Sequence, residues 1–234
     1  MPGVTENLKA VCAQIYTAER KYQRAPASVR LLAVSKTFPA ECVREAYVAG
    51  QRDFGENYVQ EGVEKIAQLA DLPDLVWHFI GPLQSNKTRL VAAHFDWVHS
   101  VDRLKIAQRL SEQRPAELPP LKVCLQVNVS GEASKSGVEP AQVEALAHAV
   151  AKLPRLQLCG LMAIPEPSTD AVLLASRFQL LVTLRDQLRQ VLNLPLETLS
   201  MGMSADMEQA IAAGSTLVRV GTAIFGGRPA RFVP

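Results

Sequence analysis

The chain has 234 residues, of which 48% are apolar, 21% charged and 6% aromatic, which suits one large-cored globular domain, or at most two, and excludes disorder. Its 25 Lys and Arg against 23 Asp and Glu leave a net charge of +2, too balanced for affinity drawn mainly from a nucleic-acid backbone or an anionic membrane. No apolar run reaches the ~18 residues of a membrane span. The start, Met1 to Glu6, lacks the basic-then-apolar pattern of a signal peptide, so a cytoplasmic protein is expected. Cys12, Cys42, Cys124 and Cys159 stand far apart within apolar patterns, which reads as reduced, buried thiols.

In chain order, Thr5–Arg24 carries Leu8, Val11, Cys12, Ile15 and Tyr16 at helical spacing, predicting an opening helix that Ala25-Pro26 breaks. Eight short apolar runs then predict strands: 30–36, 53–57, 76–81, 97–100, 121–129, 157–164, 198–201 and 216–221. Helical periods separate them over 40–50, 58–70, 85–94, 103–113, 140–153, 169–192 and 205–213. Eight βα alternations point to a single α/β domain, a (β/α)8 TIM-type barrel with an extra N-terminal helix, with a doubly wound open sheet as the alternative. The Pro-rich stretch 114–120 reads as a surface loop, not a domain boundary.

In a barrel the carboxyl ends of the strands form the working face. Lys36 emerges there from Leu31-Leu32-Ala33-Val34, either as an ion-paired surface lysine or as an amine whose desolvation makes it a carbonyl nucleophile. Ser200–Asp206 and Val220–Ala223 offer hydroxyls and glycines where strands seven and eight end. Barrels place phosphate at these strands, although Ser204 and Thr222 also suit helix capping or turns. Alternation points Arg219 inward if Val218 and Val220 face the helices; it would then sit near the phosphate or pair with Glu56 or Asp206. His78 reads as a satisfied core histidine, and Lys135, in the loop 130–137, as a second amine on this face or a surface charge. Carbonyl-reactive lysine, phosphate cup and arginine together fit a phosphorylated aldehyde.

Six ordered segments carry a resemblance: Ala33–Thr37, Phe54–Tyr58, Trp77–Lys87, Gly160–Pro165, Leu199–Met207 and Val218–Gly226. In them the chain resembles the pyridoxal phosphate homeostasis protein family, relatives of the barrel domain of bacterial alanine racemase. The resemblance implies pyridoxal 5′-phosphate as cofactor, held as a Schiff base on Lys36, with Arg219 facing the pyridine nitrogen. It further implies Ser200, Ser204, Gly221 and Thr222 around the phosphate and Asn57 lining the pocket. Guanidinium donates a hydrogen bond without handing over its proton, so the cofactor's electron sink is weakened.

Alanine racemase-like enzymes add a β-domain that supplies a tyrosine base, whereas this sequence stops at Pro234, directly after strand eight. The expectation is therefore a carrier that buffers pyridoxal 5′-phosphate or delivers it to other enzymes. Its partners are the cofactor and, transiently, the apoenzymes that receive it, with no nucleic acid or membrane, and a monomer suffices. Two rivals remain: an amino-acid racemase using Lys36 with an unidentified second acid–base group, for which Tyr58 is a weak candidate, and a cofactor-free phosphosugar lyase.

Overall fold

The computed structural model describes residues 3–131 and 136–227, so Lys135 lies outside the described residues. The strands are β1 Arg30–Val34, β2 Asp53–Glu56, β3 Val76–Phe79, β4 Trp97–Val101, β5 Leu121–Gln126, β6 Leu156–Met162, β7 Thr198–Ser200 and β8 Leu217–Val220. Each pairs in parallel with the next, and β8 returns to β1 through Leu32↔Arg219 and its neighbours, closing the barrel. The open-sheet alternative is thereby excluded.

The helices are α1 Val4–Lys21, α2 Ala40–Val48, α3 Val59–Gln68, α4 Thr88–His94, α5 Leu104–Gln113, α6 Val143–Ala151, α7 Ala171–Leu192, α8 Met207–Ala213 and α9 Thr222–Phe225. Boundaries shift for identifiable reasons. The Asp170 carboxylate accepts from the backbone N–H groups of Val172 and Leu173 and so starts α7 at Ala171. Ser85–Lys87 and Pro140–Gln142 are single 3-10 turns ahead of α4 and α6. Strand β5 stops at Gln126; the Val127 N–H still donates to the Met162 carbonyl at 2.9 Å, and Val127 also makes an isolated bridge to Val138.

Alternation along the strands divides the side chains between two cores. Val218 and Val220 join Ala33, Phe54 and Phe79 in the large core under the helices. Leu32, Val34, Ile80 and Leu217 form a separate cluster, as do Trp97, Cys124 and Met162; these are the residues of opposite parity, facing the barrel interior. The cysteine expectation needs correcting. Only Cys124 is buried, and Cys12 is exposed because α1 packs through the narrower stripe Leu8, Val11, Ile15 and Ala18. Tyr16, 53% exposed, misses that stripe for the same reason.

Candidate functional site

Lys36 follows β1 and shares the parity of Leu32 and Val34, so it stands half-buried at the carboxyl mouth of the barrel. Its seat is built by α3. Lys65 Nζ donates to the Ser35 carbonyl at 2.9 Å, to Glu56 Oε1 at 2.6 Å and to Glu61 Oε1 at 3.1 Å, while Ser35 Oγ donates to the same Glu56 oxygen at 2.6 Å. On the other side of Lys36, Thr37 takes a left-handed φ of 69° and its N–H donates to Glu61 Oε1 at 2.5 Å. Both neighbours of Lys36 are thus clamped to one buried ion cluster. Burial pushes the Glu56 carboxyl above its ordinary value, and the Lys65 charge opposes that rise.

Arg219 points inward, 3% exposed, as alternation requires. It forms no ion pair with Glu56 or Asp206. Instead Nη1 donates to the Ser200 carbonyl at 2.6 Å and to Ser200 Oγ at 2.8 Å, and Nη2 to the Ala163 carbonyl at 2.9 Å. Burial lowers its pKa to about 10, with Asp206 pulling the other way, so the guanidinium stays charged at neutral pH. A guanidinium carries five N–H donors; these three bonds leave two for a further acceptor.

The remaining residues gather on the same arc, because β7, β8, β1 and β2 are consecutive around the barrel. Gly221 follows β8, and a Cβ there would lie 3.1 Å from the Val34 carbonyl oxygen, so the turn into Thr222 and α9 sits close against the end of β1. Asn57 follows β2, and its Oδ1 is buried without a hydrogen-bond partner among the described residues. Its backbone is pressed by Gly81, whose Cβ would fall 2.2 Å from the Asn57 carbonyl oxygen.

Two residues are placed differently from the sequence expectation. Ser200 is fully buried, its hydroxyl bonded to Arg219 and His99, so its side chain backs the arginine. Ser204 is exposed in the turn before α8, along a groove it shares with Ala13, Thr17 and Lys21 of α1. Tyr58, 48% exposed, is the residue immediately before α3.

Sequence reasoning missed the Lys65 cluster and the pair His78–His99, whose signal was the recurrence of a histidine at an inward position on two successive strands. A cavity of about 540 Å³ lined by Arg30, Trp97, Lys122 and Cys159 opens at the opposite, amino-terminal mouth of the barrel, away from Lys36.

Residues 7–229 match the sequence profile of the alanine racemase N-terminal domain. The pyridoxal phosphate homeostasis protein of Pseudomonas aeruginosa is 63% identical over 228 residues, covering 97% of either chain. This chain belongs to the pyridoxal phosphate homeostasis protein family. The Escherichia coli member of the family is 55% identical, with 97% of this chain and 98% of the relative covered. PipY of Synechococcus elongatus, solved with PLP bound, is 42% identical and superposes with a TM-score of 0.84 over 95% of this chain and all of its own.

Proposed function

We propose that this chain holds pyridoxal 5′-phosphate as a Schiff base on Lys36 and serves to buffer the cofactor in the cytoplasm and pass it to apoenzymes, acting as a monomer. The observation that carries the reading is the single arc joining the Lys36 amine, the two undirected N–H groups of Arg219 and the Gly221–Thr222 turn. The residues present fit the group. Among the described residues Asn57 Oδ1 is a buried polar atom without a partner at this mouth, and the missing Cβ of Gly221 leaves room for backbone to approach. Unpaired buried polar atoms are costly, which favours a ligand that pairs them. No helix of the described residues is long and apolar enough to cross a membrane.

When bound, the cofactor supplies an aldehyde for the amine and a pyridine ring for electron withdrawal. This chain's own residues set the terms. Lys36 provides the covalent link; Arg219 donates toward the ring nitrogen while keeping its proton; Thr222 and Gly221 provide the phosphate end, and Asn57 lines the pocket wall. The arginine disfavours broad carbanion chemistry, which supports carriage over turnover. The half-buried position of Lys36 leaves the link within reach of water or a competing amine.

Mixing the loaded protein with an apo form of a cofactor-dependent enzyme tests the reading. Recovery of that enzyme's activity, with matching loss of the bound chromophore, is expected. A cofactor that never leaves Lys36 would count against delivery. Incubation with single L-amino acids in deuterium oxide separates the rival: Cα exchange is expected to be slow or absent, and rapid exchange would favour a racemase.

A further inference from the structure

Behind Arg219, polar side chains form a continuous line through the barrel. Arg219 Nη1 meets Ser200 Oγ at 2.8 Å, Ser200 Oγ meets His99 Nδ1 at 2.8 Å, His99 Nε2 meets His78 Nδ1 at 2.9 Å, and His78 Nε2 meets Asp53 Oδ1 at 2.9 Å. The line crosses from the end of β7, at Ser200, to the start of β2, at Asp53, and so joins the two mouths. Ser200, His78 and His99 are fully buried, in an interior that barrels ordinarily fill with branched apolar side chains.

The ends of the line fix its direction. A guanidinium only donates, and an ionised carboxylate only accepts. Ser200 Oγ therefore accepts from Arg219 and donates its own O–H to His99 Nδ1. His99 Nε2–H then donates to His78 Nδ1, and His78 Nε2–H donates to Asp53. Every group in the line is satisfied with both imidazoles neutral and both in the Nε2–H form. Burial favours the neutral ring in each, and for His99 strongly. The opposite polarity requires one more proton, carried either by His78, whose ring burial keeps neutral, or by Asp53. Burial works toward protonation there, but the His78 hydrogen bond, Arg30 at 3.9 Å and the charge of Lys122 outweigh it, leaving the carboxyl below its ordinary value. Arg30 and Lys122 also hold their charges 5.3 and 5.4 Å from the ring of Trp97, which stacks on His78 at 10°; Asp96 is the other charge felt by His78.

We infer that Asp53, His78 and His99 are positioning residues: with Ser200 they form a one-way hydrogen-bond relay that aims Arg219 at the cofactor's ring nitrogen, anchored by a carboxylate at the far mouth of the barrel. The inference rests on the cofactor reading above. A merely space-filling role would give stability losses alone, whereas a relay ties the charge on Asp53 to the cofactor.

The test has two parts. In the ligand-free protein, imidazole nitrogen NMR is expected to show both histidines neutral and protonated at Nε2 at neutral pH; an Nδ1–H ring at either position would overturn the relay. In the loaded protein, Asp53→Asn keeps the acceptor oxygen and removes the charge. It is expected to weaken pyridoxal 5′-phosphate binding about fivefold and to move the cofactor's absorbance band, while Asp53→Glu, which keeps the charge, restores much of both. Affinity and band both unchanged in a folded Asp53→Asn would overturn the inference. Failure of the wild-type protein to take up pyridoxal 5′-phosphate would instead overturn the cofactor reading, and the NMR result would still judge the relay.

Discussion

Removing the Lys65 ammonium leaves the Glu56 carboxylate, 0% exposed, without its counter-charge, although Ser35 Oγ still donates to it. Breaking a buried pair from one side costs about 3–5 kcal/mol, so Lys65→Met is expected to lower unfolding stability by that order in a urea titration. The sign with pH follows from burial. A carboxyl raised above its unfolded value binds its proton more tightly when folded, so its favourable contribution is complete below the unfolded value and is lost as pH rises through the folded one. Without Lys65 that loss grows; the deficit of Lys65→Met is therefore expected to be larger at neutral pH than near pH ~4. An equal deficit at both pH values would contradict the assignment. The sequence reading allowed Glu56 as a partner for Arg219, yet parity already separates them: Glu56 follows the helix-facing Phe54, and Arg219 faces the interior. Lys65 escaped notice because it lies on a helix whose contact with the strand ends is a tertiary fact.

At the scale of elements, α1 is more than an addition to the barrel. Its Leu8, Val11 and Ile15 join the outer core, and Asn7 Nδ2 donates to the Ile224 carbonyl at 2.9 Å, tying α1 to the short α9 that follows Gly221. Asn7→Ala is expected to cost about 1 kcal/mol of stability and to weaken cofactor binding by loosening the β8–α9 turn, as measured by equilibrium dialysis. Gly81 does the same for β2 and β3. A methyl group there meets the Asn57 backbone, so Gly81→Ala is expected to cost about 1–3 kcal/mol and to lower cofactor affinity through displacement of Asn57. Wild-type affinity in either variant would show that the turn concerned does not shape the pocket. The βα alternation was legible because each strand is a short apolar run ending in polar residues, even at β2 and β4, where the runs are brief. Strand ends were less legible: Val127 reads as strand by composition, and its N–H still reaches the Met162 carbonyl, but the next N–H, that of Asn128, turns to the Val138 carbonyl.

Across the whole molecule, the barrel separates a carboxyl mouth holding Lys36 from an amino mouth holding Asp53, Arg30 and Lys122, with a polar line between them. Lys36 and Arg219 were legible because strand parity and motif agree on where they face. The line was not, since residues 53, 78, 99, 200 and 219 become neighbours only when eight strands close. The central claim is that Lys36 holds pyridoxal 5′-phosphate covalently. An absorbance spectrum of the protein incubated with the cofactor, before and after borohydride, beside Lys36→Ala, tests it most directly. The account predicts a Schiff-base band that reduction abolishes, a cofactor adduct retained on Lys36 after unfolding, and neither in the variant. A wild-type protein that stays colourless, or a band that persists unchanged in Lys36→Ala, would contradict it.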